Sequence, residues 1–244
     1  MHGPARFLGR KLATFLSQPK RDYERFTMQD AAMLRDALQP GDVLLVEGET
    51  RMSTAIQYLT QSTWSHSAFY AGPVYQEPTE AEPRVLIEAE LVEGVVATPL
   101  SKYADHNVRI CRPMGLTEAH RDAVVAYMVD KIGLKYDLKN IFDLMRYLLP
   151  TPPVPRRMRR KLLAFGSGEP TKAICSSLIV EAFHAVDYPI LPLYGEGRLS
   201  KKHPTHFVPR DFDLSPYFKV VKPTVDAGFD YRALDWEPEP TEGS

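Results

Sequence analysis

Cysteine is scarce in this chain: Cys111 and Cys175 are the only two in 244 residues. Two thiols do not form the disulfide framework that staples small secreted domains. No CxxC pair or HExxH motif occurs, and His106, His120, His184, His203 and His206 lack metal-ligand spacing. A zinc site is therefore not expected, and no cofactor is expected either. Walker A and Rossmann glycine patterns are missing, which removes support for nucleotide-driven chemistry. No apolar run approaches the length of a membrane span. The start, MHGPARFLGRKLATFLSQPKRDYERF, does not read as a secretory signal, because Arg10 and Lys11 interrupt its apolar residues. The expectation is a reducing, cytoplasmic setting with free thiols. Charge of one sign is also lacking. The net charge of −1 and a pI near 6.7 supply no field for nucleic acid, and none is expected as a partner.

Hydrophobic residues at 44% and charged residues at 25% are enough for a sizeable core. Residues 4–38 read as helical, with Phe7, Leu8, Leu12, Phe15 and Leu16 on one stripe; a second helix runs from Thr27 or Asp30 to Leu38. A basic amphipathic start can also rest on an anionic membrane, which makes membrane association the alternative setting. After the Gln39–Asp42 turn, Val43–Val46 reads as a strand and Arg51–Thr60 as a helix. Trp64, His66, Ala68 and Tyr70 share one face of a strand that Gly72 and Pro73 end. Residues 76–84 read as an exposed hairpin loop. Strands over 84–91, 92–98 and 108–112 then suggest an antiparallel meander. A helix over 117–132 is capped by Thr117, with His120, Val124, Tyr127, Met128 and Ile132 at helical spacing. Another helix is expected over 138–149, before a proline cluster, and Phe218–Val221 reads as a last strand.

AICSSLIVEAFHAV, residues 173–186, carries the chemistry. Leu178, Ile179, Ala182, Phe183 and Val186 form its core face, with Ser176, Ser177 and Glu181 mostly on the other side. Cys175 stands at the helix start, where the dipole and unpaired N–H groups favour a thiolate and can hold an oxyanion. A lone cysteine in apolar surroundings is more often packing than nucleophile. What changes the balance is a possible base. His66 lies on one strand and Glu88 on the next, where the two can meet on one face, with Glu90 as the alternative partner. Cys111, on an alternating strand, reads as core. The run Arg156, Arg157, Arg159, Arg160 and Lys161 reads as a solvated loop, with phosphate or lipid headgroups as its other reading.

Four blocks then resemble a known family in its own order: LQPGDVLL with STAIQYLTQSTWSHSAFYAG, VLIEAELVEGVVATPLSKY, GLKYDLKNIFDL and ICSSLIVEAF. Together they resemble the circularly permuted branch of the NlpC/P60 (papain-like) superfamily, namely the YiiX/YebB-like cysteine hydrolases. The resemblance implies an α+β, papain-like fold: an antiparallel sheet packed against helices, with the nucleophile at a helix N-terminus after the sheet. It implies a catalytic Cys175–His66 pair with Glu88 as third residue, and Tyr136 and Ser176 at the substrate. The implied chemistry is cleavage of an amide (peptide-like) or ester bond through a Cys175 thioester. A lipid acyltransferase or lipid hydrolase on the same fold, and an inactive binding module, are the alternatives. The expected partner is a peptide-like or lipid acyl small molecule, with peripheral membrane contact through the N-terminal helix and the Arg156–Lys161 run. The expected organisation is a helical extension over 1–38, the catalytic domain over 39–222 and a partly disordered tail over 223–244.

Overall fold

A computed structural model describes residues 31–75, 81–90, 93–135, 174–192 and 203–221. The expected N-terminal amphipathic helix, the helix over 138–149, Tyr136, the Arg156–Lys161 run and the tail over 223–244 lie outside the described residues, as does most of the 76–84 loop.

A short helix, α1 (Ala31–Ala37), leads into β1 (Val43–Val46) and α2 (Arg51–Thr60). Strands β2 (His66–Tyr75), β3 (Arg84–Glu90) and β4 (Gly94–Pro99) follow. A 3-10 turn over Leu100–Tyr103 precedes β5 (Val108–Pro113) and α3 (Glu118–Asp130). Helix α4 (Ile174–His184), a 3-10 turn at Pro204–His206, α5 (Pro209–Asp213) and β6 (Phe218–Val221) complete the described chain.

The six strands form one antiparallel sheet in the order β4-β3-β2-β1-β5-β6. The expected meander therefore holds only for β1 to β4, since β5 returns to the free edge of β1 by pairing Val43 with Cys111. The return path is the 3-10 turn, whose Leu100 and Tyr103 pack beneath the sheet.

β1 is buried on both faces, as a central strand requires. Alternation sends Val43, Leu45, Phe69, Ile87 and Cys111 to one face, under Val124 and Met128 of α3 and Ile179 and Phe183 of α4. Leu44, Val46, Ala68, Leu86 and Ile110 go to the other, against Leu34 and Leu38. Two expectations fail locally. β2 runs on through Gly72 and Pro73 to Tyr75, because a register irregularity between Tyr70 and Tyr75 absorbs the positive φ of Gly72 (+78°) and the missing proline N–H. Thr117 caps α3 as expected by accepting from the His120 N–H, but the His120 side chain is exposed and the helix ends at Asp130, leaving exposed Ile132 in the turn after it; only Val124 and Met128 reach the core fully.

The turn before β1 is closed by an ion pair between a buried carboxylate and a half-buried guanidinium. Arg112 on β5 donates from Nε (2.9 Å) and Nη2 (2.7 Å) to the two carboxylate oxygens of Asp42, and Nη2 also reaches the Ala37 carbonyl. Asp42 is buried and also accepts from the Gln39 N–H at 2.8 Å. Removing one member of such a pair leaves an uncompensated buried charge. Arg112→Ala is expected to cost about 3 kcal/mol, read as a lower urea midpoint with an unchanged slope.

Candidate active site

The start of β2 is fixed from both sides. Ser65 Oγ accepts from the Gly48 N–H at 3.0 Å, and Gly48 has no room for a side chain, since an added Cβ would lie 2.3 Å from Ser53 Oγ. Trp64 donates from Nε1 to Asp213 Oδ2 at 3.2 Å, and the Arg109 guanidinium lies over the indole at 4.9 Å while pairing with Asp213. These contacts anchor the segment that delivers His66.

His66 pairs across the sheet with Val46, and the β2–β3 register aligns Phe69 with Ile87. Continued, that register sets Glu88 opposite Ala68, one diagonal step from His66 on the same face. The imidazole Nε2 meets Glu88 Oε2 at 2.6 Å. Glu88 is thus the partner of His66, whereas Glu90 turns to Lys102.

Glu88 is 1% exposed, a placement a carboxylate tolerates only when fully paired. Thr98 donates to Oε1 at 2.6 Å and Lys102 to Oε1 at 2.8 Å, while the Tyr103 hydroxyl donates to Oε2. Burial alone would raise the pKa of Glu88. The hydrogen bond and charge of His66, followed by those of Lys102, overcome it and hold the carboxyl well below the usual range. Burial, then the Glu88 charge, push the Tyr103 phenol well above its ordinary value, so it stays a donor.

Cys175 sits in the first turn of α4, 7% exposed, against Ala89 and Val208. α4 packs on β2, β3, α3 and the Pro204–His206 turn. Being enclosed this way, it is buried continuously from Cys175 to Val180, so the expected polar side is absent there: Ser176 and Ser177 are buried as well. Ser176 Oγ lies 3.1 Å from Ser67 Oγ, in the fully buried layer between α4 and β2 and away from solvent.

The Cys175 thiol and the His66 imidazole are electrostatically coupled, each favouring the charged form of the other. Nε2 is taken by Glu88, which leaves Nδ1 as the nitrogen for sulfur. Burial opposes charge on both groups. For Cys175, the charge and hydrogen bond of His66, together with the N–H and hydroxyl of Ser67, prevail and bring the thiol down to about 7. For His66, the Cys175 thiolate and then Glu88 prevail and raise the imidazole to about 10. Between those values the site holds a thiolate–imidazolium pair. Cys111, buried without such a partner, is pushed up to about 12.

The structure thus joins His66 to Glu88 by a hydrogen bond and couples Cys175 to His66 electrostatically, while Ser176 meets Ser67. Sequence reasoning gave no role to Ser67, Thr98, Lys102 or Tyr103. The last three stand in the stretch ATPLSKY, whose only signal is a threonine–lysine–tyrosine spacing that a turn must fold under β3. Among the described residues, no group of three or more His, Cys, Asp or Glu side chains could hold a metal ion.

Residues 37–147 match the family described as a permuted papain-like amidase enzyme, YaeF/YiiX, C92 family. The match spans His66, Glu88, Lys102 and Tyr103 and ends before Cys175. It bears out the resemblance to YiiX-like permuted papain-like enzymes and supports a cysteine hydrolase at the family level. Among solved structures, the chain is similar to the metalloprotein yiiX from Escherichia coli O157:H7, with 18% identity and a TM-score of 0.41. That alignment covers 76% of this chain and 97% of the other. No curated protein matches.

Glu88 links the site to stability. Its folded pKa lies below the ordinary 4.5, so its stabilising contribution is complete above that value and is lost as pH falls toward the folded pKa. Thermal melts of Glu88→Gln are expected to fall well below wild type near pH 7, and the gap should narrow steadily below about pH 4.

Proposed function

We propose, from the permuted papain-like amidase match over residues 37–147 and the connected Cys175–His66–Glu88 series, that the protein is a cysteine hydrolase. Its substrate is an amide or ester, opened through a thioester on Cys175. The observation that carries this reading is an imidazole whose Nε2 is held by Glu88 at 2.6 Å and which is coupled to a buried thiol strongly enough to bring it down to about 7. A module that kept only the fold would have no need to hold a buried thiol near pH 7.

In the acylation step the Cys175 thiolate attacks the carbonyl carbon, and the Cys175 backbone N–H at the start of α4 donates to the oxyanion. The His66 side chain keeps 23% of its surface exposed, which leaves it reachable by a substrate entering from solvent. Its imidazolium protonates the departing amine or alcohol as the tetrahedral intermediate collapses to the thioester. Neutral His66 then takes a proton from water, and the resulting hydroxide adds to the thioester. The second collapse releases the carboxylic acid and restores the thiolate–imidazolium pair. Glu88 keeps the imidazole in the tautomer and orientation that both proton transfers need. Tyr136 is proposed to contact the substrate.

Acyl substrates that partition into membranes fit the same chemistry, and the test separates them from peptide-like ones. Iodoacetamide should label Cys175 near neutral pH many times faster than an unperturbed thiol, and His66→Ala should slow it. Labelling at the rate of a free thiol, unchanged by His66→Ala, rejects the proposal. With a chromogenic acyl ester or anilide, hydrolysis should follow a bell with limbs near 7 and 10. His66→Ala should lower that rate by about 10²–10⁴-fold. A short peptide anilide and a long-chain ester, assayed side by side, identify the preferred class.

A further inference from the structure

Ser67 and Ser176 directly follow His66 and Cys175 in sequence, and both are completely buried. Their hydroxyls meet at 3.1 Å, joining β2 to α4 immediately beside the thiol and the imidazole. Buried hydroxyls of this kind must be satisfied, and a hydroxyl pair has only one proton for the bond between its members. The other proton is available to a neighbouring acceptor.

The backbone supplies a second donor at the same place. Tyr70 donates its N–H to the Asp42 carbonyl, toward the β1 side. Alternation along β2 then turns the Ser67 N–H toward β3. The β2–β3 ladder, however, ends at Phe69 and Ile87, short of Ser67. Continued, the register sets Ser67 opposite Ala89, the residue that Cys175 packs against, so the Ser67 N–H faces the side of the gap where the thiol lies and favours the thiolate there.

We propose that Ser67 is a positioning residue: its N–H and its hydroxyl, the latter backed by Ser176, hold the Cys175 sulfur as an anion in line with His66. This rests on the reading of Cys175 as nucleophile. The proton order follows from chemistry. A thiolate has no proton to give, so the Ser67 O–H is directed at sulfur, and its lone pair accepts from the Ser176 O–H. The result is a short relay, Ser176 to Ser67 to sulfur, in which each bond polarises the next. It also accounts for a serine in the core-facing part of α4, where an apolar residue would pack equally well.

The test is the pH profile of Cys175 carbamidomethylation by iodoacetamide, read at that residue by mass spectrometry on the full chain. Wild type should rise with a midpoint near 7. Ser67→Ala, which keeps the N–H, should move the midpoint up by about one unit. Labelling would then be about tenfold slower at pH 6 and nearly unchanged well above the midpoint. Ser176→Ala should shift the midpoint the same way by a smaller amount. A Ser67→Ala profile that superimposes on wild type, or is slowed equally at every pH, overturns the proposal. If Ser67→Ala fails to give a cooperative melt, Ser176→Ala decides, and an unmoved midpoint there is the overturning result. A wild-type midpoint near that of a free thiol would instead reject Cys175 as nucleophile. A wild-type midpoint near 7 with unmoved variants rejects only the role of Ser67.

Discussion

A carboxylate buried to 1% exposure is the constraint around which this site is built. Taking the Glu88 charge out of water would destabilise the fold by several kcal/mol if the charge stood alone. It stands instead among His66, Thr98, Lys102 and Tyr103. Those four partners come from β2, β4 and the 3-10 turn beneath the sheet, so the carboxylate is satisfied only when all three elements are in place. The chain's path from β4 back to β1, which breaks the simple meander, is what brings Lys102 and Tyr103 to the carboxylate. Charge satisfaction and topology are therefore two aspects of one arrangement. The orientation of the His66 ring is a consequence of it, because the ring's Nε2 is one of the four required donors.

Two thiols in one chain show how much environment decides. Cys111 lies in the middle of the sheet among apolar neighbours, and burial drives its pKa up to about 12. Cys175 is nearly as buried, yet its pKa falls to about 7 because the charge of His66 and the N–H and hydroxyl of Ser67 outweigh burial. Burial by itself makes a thiol inert. Burial beside an imidazolium makes the same group a thiolate, since low polarity strengthens the attraction as it weakens solvation.

Much of this was legible from residue pattern. Val43–Val46, Arg51–Thr60 and Phe218–Val221 occupy the ranges that periodicity assigns them, because each has a clean apolar repeat and a turn residue at its border. Strand alternation put His66 on one face with both Glu88 and Glu90, and the family resemblance favoured Glu88. What the pattern hides is contact made by pairing register. Choosing Glu88 over Glu90 depends on a diagonal offset of one residue pair, which two glutamates of equal parity cannot reveal. Ser176 looked like part of a polar helix side because α4 offers a serine pair at its start. Only the enclosure of α4 by the sheet, α3 and the Pro204–His206 turn turns those serines inward. Thr98, Lys102 and Tyr103 converge through a turn whose path no periodicity encodes.

The interrupted β2–β3 ladder has a reason of its own. In a complete antiparallel ladder every interior N–H already has a carbonyl, and none remains for a ligand or a sulfur. A site that needs backbone donors must stand where a ladder stops. β3 can afford to lose pairing to β2 near Glu88 because it is laddered to β4 from Leu86 to Glu90. β2 can lose it because His66 to Phe69 are laddered to β1. The gap between two strands, each secured on its far side, is where the first turn of α4 meets Ala89, the residue that the register sets opposite Ser67. The sheet keeps its stability in its outer pairings and surrenders one short stretch of hydrogen bonds, and that stretch is the one the first turn of α4 packs against.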